Sequence, residues 1–206
     1  MRVTFTLDDV IRAKTVQFGK IYQKNIDPSI NLMSLDFTSG NLKEIFNFKT
    51  RKDYEKFLYE DYTFEVFGEA SVCTKQLDKK MNLWLISLQD EEIVNDLGVE
   101  FSLSNTKEFN ASIGFTYFFL AKIATRIRNV FFPEEEKDIW EKSDVVITAD
   151  PTLLNMEKEK GKVSVRIEND YNKDCKYDLS YPSLEDLMND ETFFEKIKMF
   201  VVDNKH

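Results

Sequence analysis

Two stretches of this sequence carry acidic side chains to the end of an apolar run. The first is Arg2-Val3-Thr4-Phe5-Thr6-Leu7-Asp8-Asp9-Val10-Ile11-Arg12, in which Val3 to Thr6 favour a strand and lead straight into an acidic pair followed by two more apolar residues. That is the pattern of a buried strand ending in a polar turn. The second is Ser143-Asp144-Val145-Val146-Ile147-Thr148-Ala149-Asp150-Pro151, again a buried strand ending on an acid. In open α/β sheets ligands bind just beyond the carboxyl ends of the strands, so Asp8, Asp9 and Asp150 are candidate oxygen donors to a hard cation such as Mg²⁺. A metal held there could generate hydroxide for direct attack on a phosphate. The competing reading is structural: Asp8 and Asp9 cap the following helix and favour its dipole.

The remaining chemistry is bounded by what the sequence lacks. The only histidine is His206, so catalysis and metal binding by imidazole are not expected. Cys73 and Cys175 stand alone, with no spacing that suggests a thiolate metal site or a disulfide framework. A formal charge of −9 argues against binding along a nucleic-acid backbone, which needs clustered Lys and Arg. No apolar run approaches the roughly 20 residues of a membrane span, and the N-terminus lacks the profile of a secretory signal. The expectation is a soluble chain made in a cytoplasm.

The elements that must position the acids can be read along the chain. Its 206 residues suffice for one compact unit, a core with an insertion. Residues 10–22 suit a helix or a flap, and residues 26–47 form an irregular stretch whose large apolar residues must lie against something. Thr50 and Asp53 have capping-pair spacing ahead of a helix presenting Tyr54, Phe57, Leu58 and Tyr62. Leu77, Met81, Trp84, Leu85 and Leu88 mark an amphipathic helix. Residues 98–104 alternate as a strand, Asn105 with Glu108 suits a helix cap, and a long helix is expected over 107–128. Short strands follow at 129–132, 143–150 and 162–167; Ser183 caps a short helix, and a last helix begins near Phe193.

Strands alternating with helices predict an α/β fold, a mostly parallel sheet with helices on both faces. The core is expected in residues 1–12 and 97–206, with 13–96 a helical, cap-like insertion after the first strand. With 18 Phe the chain carries more aromatic surface than such a core ordinarily needs, which suits an interface as well.

The first strand and its acids resemble the first motif of the haloacid dehalogenase (HAD) superfamily, a hydrophobic strand ending in Asp-x-Asp-x-(Thr or Val). The resemblance implies a HAD-like Rossmannoid fold in which the first carboxylate attacks phosphate, the second acts as acid and base, and Mg²⁺ bridges the site. It places Ser104 at the strand-end hydroxyl of the second motif, Lys122 at the lysine of the third and Asp150 at the acid of the fourth. Here the frame departs: Thr6 stands where the nucleophile belongs, and a hydroxyl without an activating base is a poor substitute for an ionised carboxylate. Thr6, Asp8, Ser104 and Lys122 are therefore expected to be vestigial, with Asp8, Asp9 and Asp150 at most a weak Mg²⁺ site and no other cofactor.

A second likeness lies in Asp53 to Tyr62, Phe67-Gly68-Glu69-Ala70, Thr116 to Ile123 and Asp144 to Pro151, which are similar to HAD-like proteins from the virion gene block of crAss-like tailed bacteriophages. It implies a non-catalytic virion component, in the tail or its connector ring. Such a component would be made in the bacterial host cytoplasm, partnered by other virion proteins and homo-oligomeric. The alternative is a Mg²⁺-dependent phosphatase or 5′-nucleotidase with an atypical active site.

Overall fold

The apolar segments pair into a single six-stranded sheet. In the computed structural model, which describes residues 1–106 and 108–202 (Val202 by its backbone alone), the strands are β1 (Arg2–Thr6), β2 (Glu100–Ser104), β3 (Asn129–Phe131), β4 (Val145–Thr148), β5 (Val163–Ile167) and β6 (Leu179–Tyr181). They lie in the order β3-β2-β1-β4-β5-β6, and every pairing is parallel. Parallel neighbours need long crossovers, which the intervening helices supply. The α/β class expected from the sequence, with helices on both faces and a largely helical insertion after β1, is the one observed.

The two faces of the sheet differ in chemistry. Val3, Phe5, Val145, Ile147, Val163 and Val165 belong to the main core, with Leu77, Met81 and Leu85 of α4 (Leu77–Ser87), Phe119 and Leu120 of α6 (Ala111–Lys122), and Ile197 of α10 (Phe193–Val202). The alternate residues are largely hydroxylic. Thr4 joins Ser102 at 2.7 Å and Ser143 at 2.6 Å, and Thr6 donates to Thr148 at 3.0 Å. Each hydroxyl so paired can be buried without the penalty of an unmet polar group. Val146 packs on this second side with Ile139 and Trp140 of α7 (Glu136–Lys142) and Leu153 of α8 (Pro151–Asn155).

The surplus aromatics form a second core inside the insertion. Phe18 and Tyr22 of α1 (Lys14–Asn25) meet Phe46, Phe57 and Phe67, with ring centroids of 4.9 Å for both Phe18–Phe57 and Tyr22–Phe46. Phe46, from the irregular stretch, is wholly buried. The short helices α2 (Leu42–Ile45) and α3 (Arg51–Lys56) frame this core; Thr50 and Asp53 make the expected capping box on α3, which runs on into a π-helical turn over Phe57–Asp61. α4 and α5 (Glu92–Asp96) face the sheet instead, so of the expected insertion over 13–96, the part with its own core ends before Leu77.

Three local differences have physical reasons. The helix expected over 107–128 runs only from Ala111 to Lys122, because the side chains of Asn105 and Glu108 serve the network described below and Asn110 and Ala124 adopt positive φ at its two ends. Strand β6 is three residues long, too short to leave a periodic signal. Lys107, expected to open that helix, and His206 lie outside the described residues.

Candidate functional site

The strand order reverses between β1 and β4, and the crevice beyond their carboxyl ends is where a ligand would sit in such a sheet. A cleft of about 440 Å³ opens there. Thr6, Asp8, Asp9 and Asp150 line it from the sheet; Ser39 to Leu42 and Tyr54 line it from the insertion, and Tyr171 from the turn after β5. The sequence thus located the cleft and three of its acids.

The chain leaves β1 through a tight loop. The amides of Ile11 and Arg12 both donate to Leu7 O, Asp9 N donates to Arg12 O at 2.7 Å, and Asp9 takes φ of +56°, which Asp tolerates better than most residues. This loop turns Arg12 back under Asp8. Arg12 is completely buried, and its Nε and Nη2 donate to Asp8 Oδ1 at 2.8 and 2.6 Å. Nη2 also reaches Glu108 Oε1 at 2.5 Å, and Nη1 reaches Thr116 Oγ1 at 2.6 Å and Phe67 O at 3.3 Å. Thr116 in turn donates to Glu108 Oε2 at 2.5 Å.

The other oxygen of Asp8 is equally occupied. Lys14 Nζ donates to Oδ2 at 2.6 Å and Asn105 Nδ2 at 2.9 Å. Burial by itself would raise the Asp8 carboxyl, but Arg12 and Lys14 beside it, with hydrogen bonds from Lys14 and Asn105, bring it down to about 2. Burial disfavours both cations too, yet the neighbouring carboxylates outweigh it and hold Arg12 and Lys14 above their usual ranges.

Asp9 has a different job. Oδ1 accepts from Thr15 N at 3.0 Å, and Oδ2 accepts from Thr15 Oγ1 at 2.5 Å and Tyr171 OH at 2.7 Å. It thereby caps the first turn of α1, which meets the structural alternative for one member of the acidic pair; Asp8 gives no oxygen to the helix end. Burial, with Asp8 adding to it, raises its carboxyl above the usual range against the pull of Thr15. Asp150 caps α8, accepting from Thr152 N at 2.8 Å.

The positions assigned through the resemblance fare unequally. Thr6 is 3% exposed and points its hydroxyl at Thr148, with no base against it. Ser104 is buried beside Thr6 in the register, and its Oγ has no hydrogen-bond partner. Lys122 is not in the cleft. Its Nζ donates to Gly68 O at 3.0 Å and Ala70 O at 2.7 Å, tying the end of a π-helical turn (Phe64–Gly68) to α6. Among the described residues the lysine in the cleft is Lys14.

The Mg²⁺ that the resemblance implies does not fit these side chains. Both oxygens of Asp8 face cations, and Asp9 is saturated by hydroxyl and amide donors. Among the described residues no three His, Cys, Asp or Glu side chains are gathered as a metal-holding group. Sequence reading assigned no role to Arg12, Lys14 or Tyr171, offered Glu108 only as the partner of a helix-capping Asn105, and did not connect Thr116 with the cleft. Arg12 did leave a trace, four residues after Asp8.

The fold and cleft define an α/β protein with an open parallel sheet and a capped switch-point crevice. No protein-family profile and no curated protein matches the chain. Among solved structures it is similar to a haloacid dehalogenase-like family hydrolase from Xanthomonas campestris, at 9% identity and a TM-score of 0.44, over 100% of this chain and 97% of that one. A score of that size adds nothing to the geometry. Among the described residues no helix is long and apolar enough to cross a membrane.

Proposed function

We propose that this chain is a non-catalytic protein on a HAD-like scaffold, a structural component of a tailed-phage virion that acts through protein–protein contacts. The observation that carries the non-catalytic part is the state of Asp8, whose two oxygens are bound by Arg12 and Lys14 while the strand-end residue before it is a threonine whose hydroxyl is turned to Thr148. A carboxylate held ionised to about pH 2 is a poor proton donor at neutral pH, and Thr6 has no base to activate it. Among the described residues that line the cleft, the one cation, Lys14, is already bound to Asp8, so a phosphate would meet no free positive charge there. The virion assignment draws its support from the sequence stretches at 53–62, 67–70, 116–123 and 144–151.

The second reading, a Mg²⁺-dependent phosphatase or 5′-nucleotidase, is favoured by the position of the cleft at the strand-order reversal with acids from β1 and β4. One pair of measurements separates the two. Incubated with Mg²⁺ and a panel of phosphate esters, the pure chain should show no turnover above an Asp8→Ala control. Its mass by light scattering, alone and with other virion proteins, should reveal assembly. Turnover that the Asp8→Ala variant loses would establish the enzyme, and a monomer inert under every condition would sink the assembly role.

A further inference from the structure

Lys14 sits where local rules disfavour it. It is the first residue of α1, at the positive end of the helix dipole, with no acidic residue inside the first turn and only Asp9 capping that turn from outside. A cation placed there against local preference implies a compensating contact. That contact is Asp8, 2.6 Å away, with the face of Phe67 5.1 Å from Nζ on another side. The ammonium is largely withdrawn from water, with the side chain 14% exposed.

The charges close on themselves. Arg12 is shared between Asp8 and Glu108, and Lys14 supplies the second positive charge, so two cations meet two carboxylates. Asn105 braces both acids, donating to Asp8 at 2.9 Å and to Glu108 at 3.0 Å. A divalent ion arriving at Asp8 would have to displace an ammonium already bound at hydrogen-bonding distance, and would leave that ammonium beside it as a like charge.

We propose that the Lys14 ammonium is a built-in counter-ion occupying the role a divalent metal would play at Asp8, so that this cleft is complete without metal and closed to Mg²⁺. This goes beyond the absence of catalysis, because a chain without a nucleophile could still bind the ion. It also gives Lys14 a role that the resemblance to the enzyme family does not contain.

The test uses the full chain and two metals, Mg²⁺ for thermal melting against EDTA and Mn²⁺ for binding by electron paramagnetic resonance. Wild type and Lys14→Arg should melt at the same temperature with and without metal, and should show no Mn²⁺ binding that Asp8→Asn removes. Lys14→Met keeps the apolar stem and leaves Asp8 Oδ2 with the neutral Asn105 donor alone; it should melt lower in EDTA, recover with metal and bind Mn²⁺ at least about tenfold more tightly than wild type. Adding Asp8→Asn to Lys14→Met should abolish that gain. Wild-type metal binding that depends on Asp8, or a folded Lys14→Met chain indifferent to metal, would overturn the proposal. If Lys14→Met does not fold, the wild-type titration decides alone: Asp8-dependent binding overturns the proposal, and no binding upholds it. Metal binding by wild type without phosphate-ester turnover would refute the counter-ion and leave the non-catalytic reading intact, so the two failures are distinct.

Discussion

Arg12 Nη2 donates to Glu108 Oε1 across 2.5 Å, joining two side chains that lie 96 positions apart in the sequence and are both fully withdrawn from water. Arg12 belongs to the loop after β1, Glu108 to the segment before α6, and the same guanidinium reaches Phe67 O in the insertion. One side chain therefore binds the sheet edge, the insertion and α6 together.

The first prediction follows from that convergence. Arg12→Met should destabilise the fold by about 3–5 kcal/mol, because it strands Glu108 as a buried charge and leaves Asp8 with Lys14 as its remaining cation. Adding Glu108→Gln to Arg12→Met should cost less than the sum of the two single changes, since the second removes a charge the first left unpaired. Urea unfolding of the four proteins of the cycle measures this. Strict additivity would mean that the contact carries no coupling.

How far such a network is legible before folding depends on the separation of its parts. Strands β1, β2, β4 and β5 could be read from period-two or continuous apolar runs, and the cleft followed from the acids at the ends of β1 and β4. The Thr50–Asp53 and Ser183 caps were visible because both partners lie within one turn of chain. Glu108 and Thr116 were not visible as partners of Arg12, because long-range pairing of single polar residues has no period. Lys122 misled for a related reason. The resemblance placed a lysine after the second motif, but only tertiary packing decides that it reaches the carbonyls of Gly68 and Ala70 and not the cleft. The aromatic excess was visible as composition, and the structure places much of it in a second core inside the insertion.

Asp8 should govern part of the acid limb of stability. Its carboxyl is lowered in the fold from an ordinary value of 3.8 to about 2, so its contribution is present above pH 4 and is lost as the pH falls through 2. At about 1.4 kcal/mol per unit, the amount at stake is on the order of 2 kcal/mol. Asp9 works in the opposite sense: its carboxyl is raised, so the fold gains from protonating it as the pH falls toward 4. Unfolding midpoints measured across that range should show a shallow rise before the fall. Asp8→Asn should be less stable at pH 7 and fall less steeply than wild type between pH 4 and 2, the rest of the acid limb belonging to Asp178 and Asp190, whose carboxyls are also lowered.

Restoring a carboxylate at the strand end should not restore chemistry. Thr6 is buried against Thr148, so Thr6→Asp places a charge among hydroxyls with no cation directed at it. An uncompensated buried charge costs about 3 kcal/mol or more, and the fold should lose stability by that order. Asp8 would still be held by Arg12 and Lys14, so hydrolysis of a chromogenic phosphate ester should stay at the wild-type background. Turnover by Thr6→Asp would show that the cleft still binds and orients phosphate.

Lys122 has a purely structural role in this geometry. Lys122→Met removes two hydrogen bonds to the carbonyls of Gly68 and Ala70 on a partly exposed side chain, and should cost about 1 kcal/mol. Whatever binds in the cleft should be bound as before. A thermal melt in parallel with the Mn²⁺ titration of the Lys14 variants would reveal any influence on Asp8.

Gly40 sets how closely the insertion can approach the sheet edge. It adopts φ of +65°, and a Cβ there would stand 3.2 Å from Tyr171 Cβ, the side chain whose hydroxyl donates to Asp9. Gly40→Ala should therefore cost about 1 kcal/mol for the left-handed backbone and an additional amount for pushing against the ring. In a Tyr171→Gly background, which removes that Cβ along with the ring, the second part has nothing to push against, so Gly40→Ala should cost only the backbone part. Equal losses in both backgrounds would mean that the 39–42 loop yields without disturbing Tyr171. A smaller loss in the second would show that the loop's closeness to Tyr171 is what holds this wall of the cleft against Asp9.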